Sequence, residues 1–137
     1  MHPLHVFLAL GVSTANALPS LNSREVLAYR SWDLRLFSQA IPICNVNTSN
    51  IDLNVFHRYG AKDRSCEALD GAYNTTTVKS LSWKSPNESD WHDLCMFSSS
   101  DCDAGSYVGS ITDGWEMCYP FSGWSGFSVV SHGSKCV

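Results

Sequence analysis

A chain of 137 residues with a formal net charge of −4 and no cluster of Lys or Arg is poorly suited to gripping a phosphate backbone, so nucleic acid is not an expected partner. Six cysteines beside 44% hydrophobic and 12% aromatic residues describe a small core braced by disulfides. An even cysteine count leaves no thiolate for zinc, and neither a metal nor a cofactor is expected.

The chain begins MHPLHVFLALGVSTANA, with an apolar run from Val6 to Val12 followed by Ala15-Asn16-Ala17. This is a signal-peptide pattern, with cleavage after Ala17 leaving a secreted chain. The run is too short for a membrane span, which needs about 20 apolar residues. No later segment supplies a span, and the carboxyl end lacks the apolar tail of a lipid-anchor signal. Residues 18–31 form an amino-terminal extension, with one short helix expected from Ser23 to Arg30 under a Ser23 cap.

Beyond it, apolar and polar residues alternate, and helical periodicity is scarce. Strands are expected at Trp32 to Leu36, Ile51 to Val55, Lys79 to Trp83, Leu94 to Phe97, Tyr107 to Ile111, Trp115 to Tyr119 and Phe127 to Val130. Gly, Ser, Asn and Asp separate them, as turns require. Three sequons, at Asn47, Asn74 and Asn87, mark loops that would carry glycans on an exported protein. The mature chain of roughly 120 residues is the size of one domain, expected as a monomer over residues 32–137.

The sequence also repeats. Trp32-Asp33-Leu34-Arg35-Leu36-Phe37-Ser38 matches Trp91-His92-Asp93-Leu94-Cys95-Met96-Phe97-Ser98 with one inserted residue. A cysteine follows each Phe, Cys44 in one half and Cys102 in the other, and a second cysteine, Cys66 or Cys118, precedes an aromatic-rich strand. Two halves, about 32–84 and 91–137, would each give a four-stranded antiparallel unit. The expected fold class is all-β, a double Greek-key sandwich. Six cysteines allow fifteen pairings. Equivalent halves would select Cys44–Cys66 and Cys102–Cys118, leaving Cys95–Cys136 to tie down the last strand.

The stretch from Leu94 to Val108 (LCMFSSSDCDAGSYV) resembles the βγ-crystallin-like small secreted cysteine-rich proteins of filamentous fungi, whose architecture several killer toxins share. Phe97 supplies the first aromatic of the crystallin pattern, Cys102 replaces the second, and Gly105 arrives one residue late. The resemblance implies a fungal source and a left-handed turn at Gly105. It does not carry calcium binding over. The corresponding segments, Thr75 to Ser80 and Gly123 to Ser128, contain no acid to ligate a hard cation.

No segment specifies an active site, and no Gly-x-Ser-x-Gly elbow is present. Trp115, Tyr119, Phe121, Trp124 and Phe127 fall close together beside Gly123 and Gly126. Trp124, with Tyr119 and Phe121, is the candidate contact patch. The expected function is therefore non-enzymatic recognition of an extracellular protein or glycan, effector-like or killer-toxin-like. A small secreted hydrolase, particularly a ribonuclease using His57 with Glu67 or Glu116, is the alternative. A structural or wall-associated glycoprotein is the second.

Overall fold

The computed structural model describes residues 31–41, 43, 53–69, 75–85, 90–112 and 117–137. The expected signal peptide, the helix expected from Ser23 to Arg30, Cys44, Trp115, Glu116 and the asparagines of all three sequons lie outside the described residues. Among those described there are eight strands, two single 3-10 turns (Thr75–Thr77 and Ala104–Ser106) and no α-helix. No helix there is long and apolar enough to cross a membrane. The strands are β1 (Trp32–Phe37), β2 (Phe56–Gly60), β3 (Arg64–Ala68), β4 (Ser80–Lys84), β5 (His92–Phe97), β6 (Tyr107–Ile111), β7 (Met117–Pro120) and β8 (Gly126–Ser131).

They form two four-stranded antiparallel sheets, ordered β2-β1-β4-β7 and β3-β8-β5-β6. Advancing each strand of the first sheet by four, and counting on from β8 to β1, gives β6-β5-β8-β3, which is the second sheet read backwards. The two halves thus occupy equivalent positions. Yet neither sheet is one half of the chain: each takes three strands from its own half and borrows the third strand, β3 or β7, of the other.

This exchange corrects two of the expected disulfides. Cys66 is bonded to Cys102 across a 5.7 Å Cα separation, instead of to Cys44, and Cys102 is therefore not joined to Cys118. The reason is that β3 leaves the first half for the second sheet, carrying Cys66 to the loop after β5. Cys118 is also disulfide-bonded, on the reciprocal strand β7. Cys95 is joined to Cys136, the pairing expected from the sequence.

Alternation explains which side of each strand is buried. Trp32, Leu34 and Leu36 of β1 face inward with Phe56, Leu81 and Trp83, opposite Leu94, Phe127 and Val129 of the second sheet. Trp32 and Trp83 stack at 5.9 Å, and Trp124 meets Phe127 edge-on. Where the borrowed strand crosses between sheets, charged residues cover the rim. Arg58 lies over Phe56 and Arg64 over Trp32, and both guanidinium groups donate to Glu67, Arg58 at 2.5 Å. Gly60 makes room for this corner, since a Cβ there would meet Trp32 Cζ2 at 2.6 Å.

Two local expectations are corrected. The second strand begins at Phe56, and Leu53 to Val55 precede it, so the strand expected at Ile51 to Val55 is displaced along the chain as far as it is described. The left-handed residue after β5 is Cys102, at φ 50°, while Gly105 sits in the 3-10 turn outside that region. The disulfide to Cys66 holds Cys102 against the start of β8, where a Cβ on Gly126 would lie 2.6 Å from Ser99 O.

Candidate functional site

The aromatic patch expected around Trp124 is not a surface. Trp124 is 2% exposed, its ring tilted against Phe121 and edge-on to Phe127. Tyr119 and Phe121 are partly buried and pack against the core. Trp124 lies between two strands yet turns inward, and Gly123 before it, at φ 84°, lets the connection fold down.

Nor do the expected catalytic residues come together. His57 stands on the outer face of the first sheet, where its Nε2–H donates to Asp33 Oδ2 at 2.7 Å. Arg35 Nε donates to the other oxygen of Asp33 at 2.9 Å. Glu67 is held by Arg58 and Arg64 at the rim, and Glu116 lies outside the described residues. A carboxylate held by two guanidinium groups is a structural anchor.

Each of the three described histidines nevertheless meets a carboxylate, and two of them, His92 and His132, share a cleft. This cleft, of about 690 Å3, lies at one end of the sandwich where the crossover after β2, the entry to β5 and the exit of β8 converge. Lys62, Asp63, Asp90 and Trp91 line it as well.

The repeat explains why it is there. Counted from the shared Asp-Leu pair, Asp33-Leu34 and Asp93-Leu94, the position that Trp32 fills in β1 is held in β5 by His92. Trp32 fills its end of the core, stacked on Trp83 and donating from Nε1 to Lys62 O at 2.8 Å. An imidazole is smaller and has two polar nitrogens to satisfy. His92 is almost buried, and its Nδ1–H donates to Asp90 O at 2.7 Å. That bond leaves Nε2 toward Asp63, whose Oδ1 lies 3.4 Å away and also accepts from Ser131 Oγ at 2.8 Å.

His132 follows β8. Its Nδ1–H donates at 2.8 Å to Asp93 Oδ1, and the Gly133 N–H donates to Asp93 Oδ2 at 3.1 Å. Asp93 points to the outer face of the second sheet, but the carboxyl-terminal strap, tied down by Cys95–Cys136, buries it to 3% exposure. A buried carboxylate bonded to Nδ1 fixes the tautomer and leaves Nε2 free to exchange protons. The His132 side chain is 45% exposed, and its ring meets the Trp91 indole edge-on at 5.0 Å.

The candidate catalytic residues read from the sequence were His57, Glu67 and Glu116, and His92 and His132 were not among them. Asp93 carried a usable signal, as the counterpart of Asp33 in the repeat. Trp91 was legible as the opening of the second repeat, whereas Asp63 and Asp90 belong to no motif in the sequence. Among the described residues, no three His, Cys, Asp or Glu side chains are grouped so as to hold a metal ion. No family model, no curated protein and no solved structure matches the chain.

Proposed function

We propose that the mature chain is an extracellular, non-enzymatic protein that acts by recognition, on a crystallin-like double Greek-key sandwich. The strand exchange supports that architecture, since each half sends its third strand into the other's sheet and the two halves hold equivalent places in the strand order. Disulfide bonds and the signal pattern at residues 1–17 support export.

One observation carries the functional reading: the covalently strapped sandwich leaves a cleft lined mostly by polar residues whose side chains are already held by neighbours, as a preorganised binding site requires. The recognition surface moves accordingly from Trp124 to the His92–His132 end of the molecule. Applying the purified protein to plant tissue and to competing microbes tests this. A response is expected, and a cleft variant, Asp63→Asn, should weaken it while leaving thermal unfolding within a few degrees.

The His132–Asp93 pair favours a second reading, acid–base hydrolysis, because an oriented imidazole with an exposed Nε2 is a competent general base. An RNA-degradation assay run beside the application assay separates the two. Cleavage lost in His132→Ala would favour the hydrolase, and intact RNA beside a biological response favours recognition.

A further inference from the structure

We infer that the cleft binds an uncharged sugar chain, an inference that rests on the recognition reading and names its ligand class. The first ground is the charge of the lining. Lys62 brings one positive charge, while Asp63 and Asp90 bring one negative charge each. A polyanion such as RNA, a sulfated glycan or a pectic acid would have to lay its charges against two carboxylates. A basic peptide would meet the ammonium group of Lys62 in the same lining. Neither sign of polymer is welcomed, whereas hydroxyl groups can donate to carboxylates and accept from ammonium and imidazole N–H groups alike.

The second ground is the indole. Trp91 Nε1 is buried with no hydrogen-bond partner, so the ring's contribution to the cleft is its apolar surface. The edge-on contact with His132 holds that ring in place. A pyranose has the matching character, with one apolar C–H face and a rim of hydroxyls. A large aromatic beside oriented carboxylates can satisfy both.

The third ground is preorganisation. Asp63 is fixed through Ser131, His92 through the Asp90 carbonyl, and His132 through Asp93. Binding therefore costs little further side-chain ordering. A volume of about 690 Å3 falls within the ~300–1,000 Å3 of small-molecule sites and suits two or three sugar rings.

The test uses the full mature chain, titrated in turn with hexamers of β-1,3-linked glucose, of β-1,4-linked N-acetylglucosamine and of α-linked mannose. An oligogalacturonate and a short RNA serve as polyanions. Binding is followed by calorimetry and by amide shifts in two-dimensional NMR. We expect at least one neutral hexamer to bind, with shifts confined to residues 61–63, 90–92 and 131–132. Asp63→Asn and Trp91→Ala should each weaken it at least tenfold. Because Trp91→Ala can loosen the fold, the exposed Asp63→Asn, checked for an unchanged melting temperature, decides the matter. Binding of the polyanions alone, shifts elsewhere, or no binding by any neutral hexamer would overturn the proposal. The broader recognition reading fails on a different result, namely a biological response indifferent to Asp63→Asn, or none at all.

Discussion

Asp33 and Asp93 hold the same position in equivalent strands, and both accept from a histidine, His57 and His132. Their surroundings differ. Asp33 lies on the outer face of the first sheet with a side chain 15% exposed, among Arg35 and His57. Asp93 is roofed by the carboxyl-terminal strap and takes the backbone N–H of Gly133 as well. Truncating a partly solvated acid loses an ion pair worth about 1 kcal/mol or less. Removing a buried acceptor strands its donors and costs about 1–3 kcal/mol. Urea unfolding should therefore show Asp93→Ala losing about 2 kcal/mol and Asp33→Ala less than half of that. Equal losses would mean that the strap does not isolate Asp93 from water. The same substitution should also release the His132 ring from its fixed tautomer, observable as a change in its imidazole nitrogen shifts.

Among the elements, the inward-facing strands were the legible ones. β1, β4 and β8 follow period-two alternation with large apolar residues inward, and each was expected within a residue of its observed bounds; the edge strand β6, expected at its observed bounds from its aromatic and β-branched residues, buries Ile111 and leaves Tyr107 and Val108 exposed. β3 was missed and β2 was placed too early in the chain because their alternation is broken. Their inward positions hold Arg58 and Glu67, which cover the core edge in place of aliphatic side chains and erase the alternation. Missing β3 concealed the exchange, and with it the correct disulfides. The repeat identified equivalent cysteines, but equivalence does not say which half each partner comes from. With β3 exchanged, the bridge of Cys66 runs between halves, while Cys95–Cys136 stays within the second. Peptide mapping under non-reducing conditions should recover Cys66–Cys102 and Cys95–Cys136. A Cys118–Cys102 peptide would contradict the strand order itself. The cleft was illegible for a related reason: its residues come from three segments far apart in sequence, brought together only when crossover, β5 and β8 meet at one end.

For the molecule as a whole, the exchange makes the core indivisible. Cutting the chain between β4 and β5 leaves a first fragment whose three-stranded sheet, β2-β1-β4, lacks β7, while its own β3 has no sheet to join. The second fragment has the complementary defect. In each, the inward faces carrying Trp32, Leu34, Trp83 or Leu94, Phe127, Val129 lose the opposite sheet and stay in contact with water. Each bridge, closing sequence separations of 36 and 41 residues, contributes about 4 kcal/mol by constraining the unfolded chain. Only Cys95–Cys136 lies within one fragment, so the second fragment keeps one tie and the first keeps no described one. Neither fragment should fold alone, giving narrow amide dispersion in NMR. Mixing the reduced fragments and oxidising them slowly should restore dispersion as Cys66–Cys102 forms between the chains. If the first fragment gave a dispersed spectrum by itself, each half would be an independent unit, and the borrowed strands would be additions to a fold already complete. If the mixture folds but the parts do not, the two halves share one core, and the cleft exists only where both are present, since Lys62 and Asp63 come from one fragment and His92 and His132 from the other.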